Sequence, residues 1–582
     1  MSNEPKQPFE IGLCLAGAVS AGAYSAGVMD YLLEALEIWE QEKVRDPANT
    51  PMHQVRICDI GGASAGGIIG LLTATALHGR IEPAKWKEGD DVMAQRPNNL
   101  FYHTWVDLTH PDMFQQMLLT NDITESYTKS LLNTAFIDRT AERALSGAGS
   151  WVPRPYIAND MRVFSTLTNL EGFYYSVTFN SRTRAMEPYH VQVHNDYGCF
   201  RLNSTLAAYA ERRDGWIPLD FTVPRQVTIA RQVAMATAAF PVGLKAREVV
   251  RPKDYINDHP WFRWITERNP VIVDEYKSMN VDGGLINNEP FERVRELICD
   301  RTGQQDAFER QSYDTFKGTI LMIDPFPTTI EEFKGKDALL RTMGNTLGAM
   351  IGQLRTKPKT LDEAMGSAGA GQFLISPSRD LPTSIAPGVD LKGSDAIACG
   401  QLGGFSGFLH KEFRVHDYFL GRYNCEKFLR DSFTVPANTK NPIFRDSYAA
   451  LTPGRQEFFR SVEENDLGFQ IIPIFKPRTE RELQPVFANS GCNWPMRRTE
   501  DIDRFDAPLR ERTNAILTDL VNTDGWLNRL LFWAGKLVYL NRKGSRFVRE
   551  TIKNDLQEHW LLPGGPTKKV TKPYTPQQDL SV

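Results

Sequence analysis

Apolar positions change period twice within the first eighty residues. Phe9, Ile11, Leu13 and Leu15 alternate with other residues, the period-two pattern of a strand. From Tyr24 onward the period becomes helical. Val28, Leu32, Ala35, Leu36 and Trp39 fall on one side, and Asp30, Glu34, Glu37 and Gln41 mostly on the other. A small-residue turn, Ala16 to Gly22, separates the two. The same order then repeats. Val55 to Ile60 is short and mostly apolar, as a buried parallel strand should be, and Ile68 to Leu77 is an uncharged run of helix formers ending near His78-Gly79. Two strand–turn–helix units in succession predict an α/β domain with a parallel sheet.

Further along, residues 79 to 155 read as mostly helical, with Glu125 to Leu145 the clearest helix. Met161–Leu167 and Phe173–Phe179 are rich in β-branched and aromatic residues and predict two strands paired around Asn169 to Gly172. Val227 to Ala239 predicts a helix, Met279 to Val281 a short strand running into Asp282-Gly283-Gly284, Glu289 to Cys299 a helix, and Gly318 to Ile323 a buried strand. Beyond residue 330 the character changes. Thr342–Leu354, Ser394–Phe413, Val415–Phe433 and Pro508–Trp560 look helical, Ser376–Asp390 looks like a loop, and 434 to 500 show few regular patterns. The expected organisation is therefore a catalytic domain over 1–330, a mostly helical region over 331–562, and a disordered tail over 563–582.

Composition narrows the function classes. The 582 residues are 41% hydrophobic and 24% charged, with a formal net charge of −4. That is ample for a large core and lacks the basic stripe of a nucleic-acid binder. Seven cysteines occur singly, with no C-x-x-C, and read as free thiols of a reducing compartment. Ile11–Met29 and Gly61–Leu77 are uncharged, but they are rich in Gly, Ala and Ser. Glu4, Lys6 and Glu10 before the first do not make a positive leader, so neither predicts a membrane span or a cleaved signal. The expected location is the cytoplasm.

The chemistry is concentrated at Gly62-Ala63-Ser64-Ala65-Gly66, a G-x-S-x-G element between a strand and a helix. That context lifts the serine out of the sheet as a nucleophile. Gly62 and Gly66 make room for the turn, and the Ala65 N–H at the helix N-terminus suits a developing oxyanion. The Gly17, Ala18 and Val19 N–H groups of the first loop offer further donors. Asp282, at a later strand end, could take the serine proton directly if burial raised its basicity.

These stretches together resemble the patatin-like phospholipases, over Ile11 to about Pro327. Gly17 to Tyr24 is similar to the family's oxyanion loop, Gly62 to Gly66 to its nucleophile elbow, Ala236 to Pro241 to its Ala/Ser-rich block, and Asp282-Gly283-Gly284 to its dyad aspartate. His416, Gly421 to Cys425 and Phe428-Leu429 resemble a later region of larger bacterial members. The resemblance implies a three-layer α/β/α fold with a mainly parallel sheet. It also implies a Ser64–Asp282 dyad that cleaves acyl esters of lipids through an acyl-enzyme, without histidine, metal or cofactor. The partner it implies is an acyl-lipid substrate, reached by peripheral contact with the inner face of a membrane. One position departs from the family. Ala21 stands where the loop usually carries Arg or Lys, so backbone donors survive but a fixed positive charge does not.

Two other readings stay open. A conventional esterase or thioesterase would use a triad, with His559 late enough in the chain to complete it. A catalytically silent, membrane-associated scaffold would keep the fold alone. His110, His190 and His194 lack a metal-like third ligand, and Gly366 to Gly371 lacks the Lys-Ser/Thr of a phosphate loop. Trp526 to Arg549 sets Trp526, Leu530, Leu537 and Val538 at helical spacing among basic residues, with Phe532 and Trp533 widening the apolar surface. Core packing and a bilayer interface both suit such a helix.

Overall fold

The computed structural model describes residues 7–107, 113–123, 127–146, 149–177, 189–304, 312–327, 372–462, 468–523 and 536–566, with side chains omitted at 372, 520–523 and 536–544. In chain order the main elements are β1 (Phe9–Leu15), α1 (Gly22–Arg45), β2 (Val55–Gly62), α2 (Ala65–Ala76) and α3 (Ala135–Ala144). Then come β3 (Ile157–Val177), β4 (Tyr189–Leu202), β5 (Ile217–Leu219), α4 (Pro224–Thr237), β6 (Arg247–Pro252), β7 (Glu275–Asp282), α5 (Phe291–Thr302) and β8 (Gly318–Ile323). The chain continues through β9 (Gln372–Ile375), α6 (Lys411–Asp431), α7 (Asp506–Thr523) and α8 (Lys536–Glu558).

Nine strands form one sheet in the order β5-β4-β3-β2-β1-β8-β9, and β7 and β6 branch from β3. The pairs β1/β2, β1/β8, β2/β3, β4/β5 and β8/β9 are parallel, whereas β3/β4, β3/β7 and β6/β7 are antiparallel. The centre is thus the predicted parallel sheet, and its strands are apolar on both faces because helices cover both. A Cβ on Gly61 would strike Val294 of α5, whereas one on Gly70 of α2 would touch Ile60. Gly61 and Ile60 are successive strand residues and face opposite ways, so α5 and α2 lie on opposite sides of the sheet. Residues beyond 330 join the same core. β9 extends the sheet edge, and α6 lies along α1.

Several predicted elements fold differently. The hairpin around Asn169 to Gly172 is one strand, β3, with a bulge. Asn169 Oδ1 accepts from the Glu171 and Gly172 N–H groups, and β3 pairs with β4 on both sides of the register shift. The helix expected over 125–145 starts only at Ala135. Before it, the Leu131 and Leu132 N–H groups donate to the carbonyls of Val242 and Gly243, so those donors are spent on a tertiary contact. More generally, the described residues of 79–155 hold short helices among irregular chain. The helix expected over 394–413 is a series of short turns, interrupted by Leu402, Gly403 and Gly404 at positive φ. Within the loop-like 376–390 segment, Ser378–Asp380 pairs with Asp390–Lys392. Thr342–Leu354, Gly366–Gly371, His110 and the tail from 567 lie outside the described residues. No helix of the described residues is long and apolar enough to cross a membrane.

Candidate active site

Parallel register brings the ends of β1 and β2 side by side, with Leu15 opposite Gly62. The turn after β2 is tied to β1 by the Ala63 N–H donating to the Leu15 carbonyl at 3.1 Å. Ser64 then adopts φ 50°, ψ −122°, a conformation that non-glycine residues take rarely. Both flanking glycines are required by close approach. A Cβ on Gly66 would lie 2.2 Å from the Leu15 carbonyl oxygen, and one on Gly62 2.4 Å from the Gly66 backbone. The strained serine is held from behind, because its N–H donates to Thr237 Oγ1 at 2.9 Å, at the last residue of α4.

Asp282 arrives on β7, which runs antiparallel to β3 and pairs Asp282 with Leu167. Gly62 is level with Ser165 of β3, so Asp282 sits just beyond the end of β2. Ser64 Oγ donates to Asp282 Oδ2 at 2.7 Å. The other carboxylate oxygen accepts from the Gly284 N–H at 2.7 Å, and the Asp282 carbonyl from Thr168 Oγ1 at 2.8 Å. These bonds orient Oδ2 toward the serine. Ser64 is only 6% exposed and Asp282 is equally buried.

The first loop lies against the elbow. A Cβ on Gly17 would fall 3.2 Å from Ser64 Cβ and 2.3 Å from Asn288 Oδ1. The Gly17 N–H donates to the Asn288 carbonyl at 3.3 Å, so this expected oxyanion donor is already engaged. The N–H groups of Ala18, Val19 and Ala65 have no hydrogen-bond acceptor among the described residues. Val19 and Ala65 border the cavity on which Ser64 opens. Ala21 is fully buried behind the loop. Ser20 Oγ donates to the Gly404 carbonyl and accepts from the Gly407 N–H at 3.1 Å, which locks the loop to the segment that precedes α6.

The cavity measures about 130 Å³ and is almost wholly apolar. Ile68 and Leu72 of α2, Phe136 and Ala141 of α3, and Phe405 and Phe408 from the C-terminal region contribute walls. Sequence reasoning missed Thr237, Asn288, Ser20 and these two phenylalanines. Thr237 lies inside the Ala236–Pro241 block and Ser20 inside the Gly17–Tyr24 stretch noted above, which were the available signals. The rest act across hundreds of residues, or through backbone atoms that carry no side-chain signature.

The histidines lie elsewhere. His559 Nδ1 bonds the Asp555 carbonyl at 2.7 Å, and its Nε2 lies 3.7 Å from Asp395. His190 bonds Ser176, and His194 bonds the Asn169 carbonyl. No histidine lines the cavity among the described residues, and no metal-ligating cluster is found among them.

Residues 13–295 match the sequence profile of the Patatin family, described as patatin-like phospholipase. The uncharacterized protein y4iI of Sinorhizobium fredii is 30% identical over 473 residues, which are 75% of this chain and 66% of that protein. Among solved structures, VipD from Legionella pneumophila is 10% identical with a TM-score of 0.20, over 99% of this chain and 94% of that one, too distant to bear on fold or site. By the profile match, residues 13–295 of this chain, just under half its length, form a patatin-like phospholipase domain, built on a mostly parallel central sheet.

Proposed function

We propose that the protein is a serine lipid acyl hydrolase in which Ser64 and Asp282 act as a dyad. The observation that carries this reading is the 2.7 Å hydrogen bond from Ser64 Oγ to Asp282 Oδ2, at the edge of an apolar cavity. As Ser64 Oγ attacks an ester carbonyl, its proton passes to Asp282 Oδ2. The tetrahedral oxyanion is met by the N–H groups of Ala18, Val19 and Ala65. One such donor is typically worth about 10²–10³ in kcat. Collapse returns the proton to the leaving alcohol and leaves the acyl group on Ser64. Water then attacks, giving its proton to Asp282, which passes it to Ser64 Oγ as the acyl–oxygen bond breaks and the acid departs. The apolar walls suit a fatty acyl chain, and a polar group of the leaving alcohol would face outward.

Lipid product analysis of the wild type beside Ser64→Ala and Asp282→Asn tests the reading. Both variants should lose hydrolysis while keeping the wild-type melting temperature. Full turnover by either one rejects the dyad. Retention in Asp282→Asn alone would instead favour a serine served by another base.

A further inference from the structure

Lipid must reach Ser64, and the ground around the cavity opening carries a second pattern. Phe240 lines the cavity and is 40% exposed, and Val242 beyond it is 71% exposed. Leu131, at 48%, and Leu119, at 45%, stand beside them. The Leu131 N–H donates to the Val242 carbonyl at 2.8 Å, and the Leu132 N–H to the Gly243 carbonyl at 3.1 Å. Arg512 of α7 donates to the Leu131 carbonyl at 3.0 Å and also to that of Leu119. Scattered exposed apolar residues are ordinary. Here they come from separate loops and are fastened edge to edge, and Phe240 among them lines the apolar cavity. Val242 adds an independent sign, because its φ is +66°. A β-branched residue takes a left-handed backbone at a cost, and this side chain stands in water rather than in the core. Strain kept at such a place points to an external contact.

The charge beside this rim is mainly positive. Lys129, Arg231, Lys245 and Arg247 line a more open cavity of about 690 Å³, which shares Met235 and Arg247 with the catalytic one. Glu248 is in the same wall. Asp138 pairs with both Lys245, at 3.0 Å, and Arg247, and Glu142 lies 3.6 Å from Arg231. Lys129 has no carboxylate partner among the described residues; its ammonium lies over the Tyr127 ring. One carboxylate divided between two cations leaves the face able to receive phosphates.

We propose that this opening is the surface by which the protein docks on an anionic lipid bilayer. Leu119, Leu131, Phe240 and Val242 enter the acyl boundary, while Lys129, Arg231 and Lys245 lie among the head-group phosphates. The inference rests on the acyl-hydrolase reading for its purpose, but not for its test. It also moves the expected membrane contact away from Trp526 to Arg549, most of whose side chains lie outside the described residues.

The test is sedimentation with phosphatidylcholine vesicles, with and without phosphatidylglycerol, alongside hydrolysis of a soluble short-chain ester. Leu131→Asp with Val242→Asp should weaken binding to the anionic vesicles by on the order of tenfold or more. It should slow vesicle-lipid hydrolysis in proportion and leave the soluble ester unaffected. Lys129→Glu, at an exposed position, should reduce the advantage of anionic over neutral vesicles, as should added salt. Free phosphate at the same concentration should not reproduce the effect of the vesicles. Ile272→Asp alters a different exposed apolar residue and should bind as wild type. The proposal is overturned if the Leu131/Val242 variant binds as wild type does, if Ile272→Asp is the variant that fails, or if the wild type ignores vesicles. Loss of the soluble ester reaction by the wild type would instead count against the dyad and leave the binding results to decide the surface.

Discussion

At the residue scale, the candidate site depends on atoms that hold Ser64 in a strained pose. Among the described residues, Thr237 supplies the only acceptor for the Ser64 N–H, at 2.9 Å. Thr237→Val keeps the shape and removes that oxygen. It should cost about 1–3 kcal/mol of stability for an unpaired buried donor, and lower kcat more than it raises KM. Steady-state kinetics on a soluble ester would check this, and an unchanged kcat would show that the elbow holds itself. Ala21 makes the opposite point. Restoring the family's basic residue there looks harmless from sequence, yet Ala21 is completely buried. Ala21→Arg would force an unpaired guanidinium into the core. It should lower the melting temperature rather than raise activity, readable by calorimetry.

At the element scale, α1 carries the loop from Ala16 to Ala21 at its start and is fixed by its crossing with α6. The two backbones touch at a pair of glycines. A Cβ on Gly27 would lie 1.9 Å from the Tyr418 carbonyl oxygen, and one on Gly421 2.1 Å from that of Tyr24. Tyr418 and Gly421 belong to the C-terminal region, so that region sets the position of the loop. Gly421→Ala should therefore destabilise by more than about 2 kcal/mol, because helix backbones cannot yield as a side-chain end can. It should also slow hydrolysis well below the folding midpoint. Denaturant unfolding together with activity would test both, and a wild-type denaturation midpoint would refute the crossing. The crossing is locked further by Arg422, which is fully buried among Asp30 and Glu34 of α1 and Glu482.

For the whole molecule, a buried ion cluster ties the sheet to its lower helix. Asp59 of β2 accepts from Arg162 Nε of β3 at 2.6 Å and from Arg301 Nε of α5 at 2.9 Å. Burial pushes the Asp59 carboxyl up, but Arg162 and then Arg301 outweigh it and hold it below the ordinary value. A carboxyl whose pKa is depressed on folding contributes stability that is complete above the unfolded value, near 4, and is lost as pH falls through the folded one. Arg301→Met removes one partner, so the folded value rises and that contribution disappears at higher pH. The acid-unfolding midpoint should shift upward, and the protein should also be weaker at pH 7 because a buried charge has lost a partner. Acid titration followed by circular dichroism would decide, and an unmoved midpoint would refute the account.

Sequence alone was enough for β1, β2, the elbow and the Asp-Gly-Gly end of β7, because each is a local pattern. Period-two apolar runs, glycines where backbones nearly touch, and a serine between strand and helix are written within a few residues. Elements whose backbone hydrogen bonds leave the segment were not legible. The chain at Leu131 gives up helix for bonds to Val242 and Gly243, and the 394–413 stretch breaks into turns that grip Ser20. β3 bends at Asn169 instead of turning, since β4 pairs with it on both sides of the bulge. The boundary expected near residue 330 follows a change of composition, yet β9 from beyond it completes a sheet edge and Phe405 and Phe408 wall the cavity. Local pattern determined which residues could react. Tertiary structure decided which atoms hold them, because close packing and hydrogen bonding join residues by space and not by order in the chain.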